Sequence, residues 1–228
     1  MSTNHLALMQ IVDGAFPTGA FAHSFGLETY VQDGTVHDGA SFAEFLRTCL
    51  RLGVGASDAV AACVSHSAAL RGDWDAVANA DEMLTAMKLP EETRTAGSQV
   101  GKRFLATCAA VFDVQAIRTL RDQVTRGDLS GQHAVMFGAT AALLGIEAVD
   151  MARAYLHGHA MSQASAAVRL IPLGATEAQK VVRSLHSEIE AVAARATESE
   201  VTGMTSFTPG LDIASMRHAW LHARLFMS

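Results

Sequence analysis

Charge of either sign is scarce in this chain, and proline, cysteine and aromatic residues are scarcer still. Only 18% of the 228 residues are Asp, Glu, Lys or Arg, whereas 50% are apolar, the opposite of the balance that keeps a polypeptide disordered. Positive charge has no surplus: 17 Lys and Arg stand against 23 Asp and Glu, a formal net charge of -6. A nucleic-acid surface needs cations to displace the counterions of the phosphates, so nucleic acid is not an expected partner. The three cysteines, Cys49, Cys63 and Cys108, stand singly without CxxC spacing. That excludes a disulfide framework or a zinc knuckle and suits buried thiols in a reducing compartment, so a cytoplasmic location is expected. The longest uncharged run, Gly131 to Ile146, falls short of the roughly 20 residues that a membrane helix needs. Met1 to Gly14 has no basic segment ahead of its apolar residues and carries Asp13, so neither a signal peptide nor an anchor is expected. The reading is a soluble protein with no membrane partner.

What the chain does have is apolar residues recurring at steps of three and four along nearly its whole length, the period of a helix with one buried face. The expected fold class is all-α, one domain over residues 1-228 in the form of a bundle of about eight to ten helices. The clearest stripe is Ala178, Val181, Val182, Leu185, Ile189, Val192 and Ala196, which reads as one helix from Thr176 to Glu200, opened by a Thr176–Gln179 capping box. A second box, Ser41 with Glu44, is expected to open a helix that stops near Gly53 to Gly55. Gly34, Gly72, Pro90, Gly127 and Pro172 punctuate the rest. A long helix is expected from Glu147 to about Val168, with Ile171 extended because Pro172 follows it. Arg169 then falls at a helix C-terminus, where a cation is favoured. Asp212 reads as the cap of a last helix carrying Ile213, Met216 and Trp220 on one face. The apolar ending Arg224-Leu225-Phe226 must dock on its own core or be covered by another chain.

No catalytic pattern is complete in this sequence. Gly97-Ser-Gln-Val-Gly101-Lys102-Arg103 is one residue short of a phosphate-binding loop and puts Arg where magnesium needs a hydroxyl, so close helix packing at the two glycines is the better reading. His218 and His222 have the spacing of a shared helix face, but Ala219 stands where a zinc hydrolase keeps its general base. His157 and His159 point to different sides of a helix. These histidines, with His23, His133 and His186, read as structural, and Asp81-Glu82 and Glu91-Glu92 as solvated carboxylates. No metal ligand set and no cofactor are expected. The residues alone favour a binding or scaffolding protein over an enzyme, with a histidine-based metal enzyme as the rival.

Three segments, read together, carry the argument further: Ile11 to Glu28, which contains Pro17, Gly19, Phe21, Ser24 and Gly26; Val168 to Gly174, which contains Arg169 and Pro172; and Pro209 to Ser228. In this order they resemble the PxGxFxxSxGLE, RLxPLGQ and LDIASMxHExxYxRLFRS patterns of the urease accessory protein UreF family. His133, Gly138 and Tyr155-Leu156 match as well. Ala175, Ala219, His222 and Met227 depart from the patterns, in or near surfaces that the family uses. The resemblance implies an all-α, homodimeric protein without catalysis of its own, a bridge that binds UreD (also called UreH) and recruits the GTPase UreG for nickel delivery to apo-urease. It further implies UreG engagement by Glu28 and Arg169, against which an internal Glu28–Arg169 ion pair or the helix-end role of Arg169 must be set. Ser215, Met216, His218, Arg224, Leu225 and Phe226, in a tail of about residues 209-228, are the implied UreD contacts, against intramolecular docking of that tail. Pro17, Gly19, Phe21, Ser24, Gly26, Pro172 and Gly174 are implied to shape the backbone. A helical scaffold for another metalloenzyme is the remaining alternative.

Overall fold

The structure, a computed structural model, describes residues 3–227. Its regular structure is helical, with twelve α-helices among the described residues, two more than the upper end of the expected count. In chain order they are α1 (Thr3–Val12), α2 (Leu27–Gln32), α3 (Gly39–Leu52), α4 (Asp58–Arg71), α5 (Trp74–Met87) and α6 (Glu91–Val111), followed by α7 (Gln115–Arg126), α8 (His133–Leu143), α9 (Ala148–Leu170), α10 (Ala175–Ser184), α11 (His186–Thr197) and α12 (Pro209–His218). Tight 3-10 turns cover Ala20–Ala22 and Val201–Gly203. Among the described residues no helix is long and apolar enough to cross a membrane.

The uncharged run has a structural explanation. It forms α8, which is buried from Ala134 to Ala142, as expected of a helix that is apolar all round. Its neighbour α4 is built largely from Ala59, Ala61, Ala62, Ser65, Ala68 and Ala69, all buried, so the two backbones can lie against each other. A methyl group added at Gly138 would run into the Ala62 backbone, and Ser65 Oγ donates to the Val135 carbonyl at 2.8 Å. The long α9 packs across α4 and α8 and also against α10 and α11, and α11 touches α4 as well. The Gly97 and Gly101 pair behaves as a packing device: added methyl groups would meet Gln132 and the Gly131 carbonyl, while Lys102 and Arg103 face solvent. All three cysteines are free and buried, and burial pushes each thiol up to about 12.

Several sequence expectations need correction. The cap of α3 is Asp38, whose carboxylate accepts from Ser41 N while Ser41 Oγ accepts from the Asp38 amide; the box lies one turn earlier than Ser41–Glu44. The stripe from Ala178 to Ala196 belongs to two helices, and α10 opens at Gly174 without a side-chain cap. Ser184 Oγ donates back to the Val181 carbonyl at 2.7 Å and Leu185 N closes a tight turn onto Val182, a local competition that ends a helix without disturbing the phase of its apolar residues. Thr208 precedes α12, Pro209 takes its first position and Asp212 lies inside it. Asp81 is a buried residue of α5, where its carboxylate accepts from the amides of Gly131 and Gln132 at 3.0 and 2.7 Å.

The close approach of α4 and α8 makes a stability prediction. Gly138→Ala forces two helix backbones apart and is expected to cost about 1–3 kcal/mol, seen as a lower melting temperature. Gly14→Ala, with open space around the added methyl group, is expected to leave it unchanged.

Candidate functional site

The segment between α1 and α2 is a run of tight turns that only certain residues permit. Gly19 and Gly26 adopt φ of 78° and 87°, where a side chain is strained. A Cβ at Gly26 would also lie 2.8 Å from Leu211 Cδ1 and 2.9 Å from Ser215 Oγ, so this glycine lets α2 meet α12. Phe25 holds φ of 50° between them. The path turns Phe21 outward, buries Ser24, and starts α2 with Glu28 facing inward at 2% exposure.

The Glu28 carboxylate is the centre of the site. Its Oε1 accepts from Leu225 N at 2.7 Å, and its Oε2 from Phe226 N at 3.2 Å and from His218 Nε2 at 3.0 Å. On the other side of the ring, His218 Nδ1 lies 2.8 Å from Glu92 Oε2, and Arg224 Nη1 donates to Glu92 Oε1 at 3.2 Å. Both nitrogens of this fully buried imidazole face carboxylate oxygens, so the ring links Glu28 to Glu92. Neighbouring α2 side chains grip the same stretch: Thr29 Oγ1 donates to the Ala214 carbonyl and Gln32 Nε2 to the Ala223 carbonyl, each at 2.9 Å. Met227 N reaches back to the Ala22 carbonyl at 2.8 Å. The tail is thus docked on its own chain.

Arg169 ends α9 beside this hub. Its Nε donates to the Ser165 carbonyl at 3.3 Å and its Nη2 to the Phe21 carbonyl at 3.2 Å, so it serves the helix end and the N-terminal turn, while Glu28 spends its oxygens on the tail. The guanidinium carbon lies 4.0 Å from the centre of the Phe21 ring and 4.1 Å from that of Phe226. Such cation–π contacts are worth about 0.5–2 kcal/mol each. Phe226 is buried in the process, whereas Phe21 at 61% and Leu225 at 71% exposure keep their apolar faces in water.

Beneath the same N-terminal segment lies a cavity of about 730 Å³. Among its lining residues, Lys88 Nζ and Asp58 Oδ1 form a 2.7 Å ion pair, with Ser57 Oγ 3.0 Å and Tyr155 Oη 3.4 Å from the Asp58 carboxylate. Burial works against the Asp58 carboxylate, but the Lys88 ammonium, helped by Ser57, outweighs it and holds the carboxyl below its ordinary range. Burial pushes His133 and His159 down to about 4, so both are neutral at pH 7.

The sequence-predicted residues meet in one place with two kinds of exposure. Ser215, His218 and Phe226 point inward and shape the docked tail, while Met216, Arg224 and Leu225 face solvent. Pro172 and Gly174 make the turn after α9, and Ile171 is extended there, at φ −127° and ψ 161°. His218 and His222 share no helix face, since α12 ends at His218. Glu92 was overlooked because it reads as one of an adjacent acid pair; nothing local signals a partner 126 residues away.

Comparison with known proteins places the whole chain. A family model described as UreF matches residues 36–186. The chain is 36% identical over 224 residues to the urease accessory protein UreF of Trichodesmium erythraeum (strain IMS101), with 98% of this chain and 97% of that protein covered. It is 34% identical over 227 residues to the urease accessory protein UreF of Corynebacterium efficiens, covering 99% and 97%, and 36% identical over 225 residues to that of Arthrobacter sp. (strain FB24), covering 98% and 96%.

Two predictions follow from the geometry. Glu28→Ala strips two tail amides and the His218 ring of their acceptor; breaking a buried pair by removing one partner costs about 3–5 kcal/mol, so a lower melting temperature and faster tryptic cleavage after Arg224 are expected. Unchanged stability and cleavage would contradict the hub. For pH, His133 and His159 are depressed from 6.5 to about 4, so between those values the unfolded chain binds protons that the folded one does not. Stability is expected to fall as pH drops from about 6.5 towards 4, and His133→Phe is expected to flatten that slope in chemical denaturation.

Proposed function

The chain belongs to the urease accessory protein UreF family, and from that premise we propose that it is a bridging subunit of a urease maturation complex in the cytoplasm. In this reading two copies of the chain join UreD (UreH) to the GTPase UreG, for nickel insertion into apo-urease and control of GTP hydrolysis, and bond-making chemistry is left to the partners. The observation that supports it is the docked tail. Glu28 folds residues 225–226 against the N-terminal turn, which leaves Leu225 and Met227 exposed beside a Phe21 ring that stacks on the Arg169 guanidinium and is itself exposed. Trp220, at 88% exposure, stands just after α12.

Large apolar side chains held beside a stacked arginine suit a protein–protein hot spot, where aromatic residues and arginine carry most of the energy. Pre-ordering the tail also lowers the entropic cost of binding. We assign UreD capture to Met216, Trp220, Arg224 and Leu225, with Ser215, His218 and Phe226 as the scaffold that holds them. UreG recruitment falls to Arg169, positioned by Phe21 and Phe226, with Glu28 acting through the tail it organises.

The test is reconstitution with purified UreD, UreG and apo-urease. Leu225→Glu alters an exposed side chain, so its melting temperature is expected to match the parent protein while UreD capture falls by about tenfold or more. Arg169→Ala is expected to retain UreD and lose UreG recruitment and GTP-dependent activation. If both variants assemble and activate urease like the parent, the assignment of this surface is wrong.

A further inference from the structure

Where α9 meets α11, the chain brings two histidines together that the docked tail does not use. His157 on α9 and His186 at the start of α11 face each other with ring centres 5.7 Å apart and planes inclined by 72°. Two imidazoles that share one ion at about 2.0–2.1 Å per nitrogen hold their ring centres about 5–6 Å apart. The pair therefore already has the separation that a common ion requires.

The surroundings favour the same use. Neither ring is hydrogen-bonded to another described residue, so their nitrogens are not committed elsewhere. The nearby carboxylates are taken: Arg153, one turn before His157, holds Glu190 of α11 at 2.7 Å and Asp150 of α9 at 3.1 Å. Asp150 also lies 3.7 Å from His5 on α1. The charge of Arg153 is thereby offset, and the histidines are left facing each other without an anion between them. His157 also lines the rim of the large cavity, which makes the position reachable from solvent.

We propose that His157 and His186 form a two-histidine site for a borderline divalent transition ion of the Zn²⁺, Ni²⁺ and Cu²⁺ class, the ions for which neutral imidazole is the preferred ligand. Among the described residues no three His, Cys, Asp or Glu side chains gather around an ion, so water fills the remaining coordination positions and binding is reversible. The site owes nothing to partner docking and stands or falls separately from it.

The test uses the full chain and Zn²⁺ alone, titrated calorimetrically at about pH 7.5. One ion per chain is expected. His157→Ala and His186→Ala should each weaken binding by about tenfold or more, with unchanged melting temperature, and His222→Ala, which alters an exposed tail histidine, should not. Binding should weaken progressively as the solution is acidified, because protons compete with the ion for imidazole nitrogen. Cu²⁺ provides a second readout: its electron paramagnetic resonance spectrum should show coupling to two nitrogens, reduced to one in either single variant. Absence of Zn²⁺ binding to the parent chain, or parental affinity in both single variants, would overturn the site.

Discussion

A carboxylate buried to 2% exposure has to find donors for its oxygens, because an ion removed from water and left unpaired costs several kcal/mol. Glu28 finds them in the last residues of the chain. The amides of Leu225 and Phe226 and the ring of His218 converge on it, and every other feature of the site depends on that convergence. With the tail in place, Phe226 closes over Arg169, the Arg169 guanidinium reaches the Phe21 ring, and Met227 pairs with the Ala22 backbone. One buried charge thus couples segments that are distant in sequence and holds the tail beside the Arg169–Phe21 contact.

The surface is ordered by a frame with little freedom of its own. Glycine and alanine let α4 and α8 pack backbone to backbone, and α9 spans that pair to deliver Arg169 at one end. The positive φ values of Gly19 and Gly26 give the N-terminal segment the turns that present Phe21 and bury Glu28. Gly26 in addition lets Ser215 and Leu211 of α12 come within contact of α2. A frame of this kind suits a bridging subunit, because a rigid platform loses little entropy when a partner binds.

Much of this was legible in the sequence, for identifiable reasons. Helical periodicity carried the fold class, and Pro172 fixed the extended geometry of Ile171. Gly72 and Gly127, both left-handed, end α4 and α7 where expected. The ends that were misread are those where competing signals lie a turn apart: Asp38 outcompetes Ser41 as a cap, and a hydroxyl back-bond at Ser184 splits a stripe whose phase continues into α11. Of the site, Glu28, Arg169, His218 and Phe226 were marked by resemblance, but their contacts were not. The periodicity says which face of α2 is buried; it cannot say that the buried acid meets the chain terminus. Glu92, and the burial of Asp81 against the Gly131–Gln132 backbone, are long-range events with no local signature.

The central claim is that the tail is folded onto Glu28 in the isolated chain, before any partner arrives. Native-state amide hydrogen exchange at Leu225 and Phe226, resolved residue by residue, tests it most directly. The account predicts that both amides are protected relative to an unstructured peptide, and that the protection is lost when Glu28 is replaced by alanine. Exchange of both amides at unstructured-peptide rates in the parent chain would contradict it.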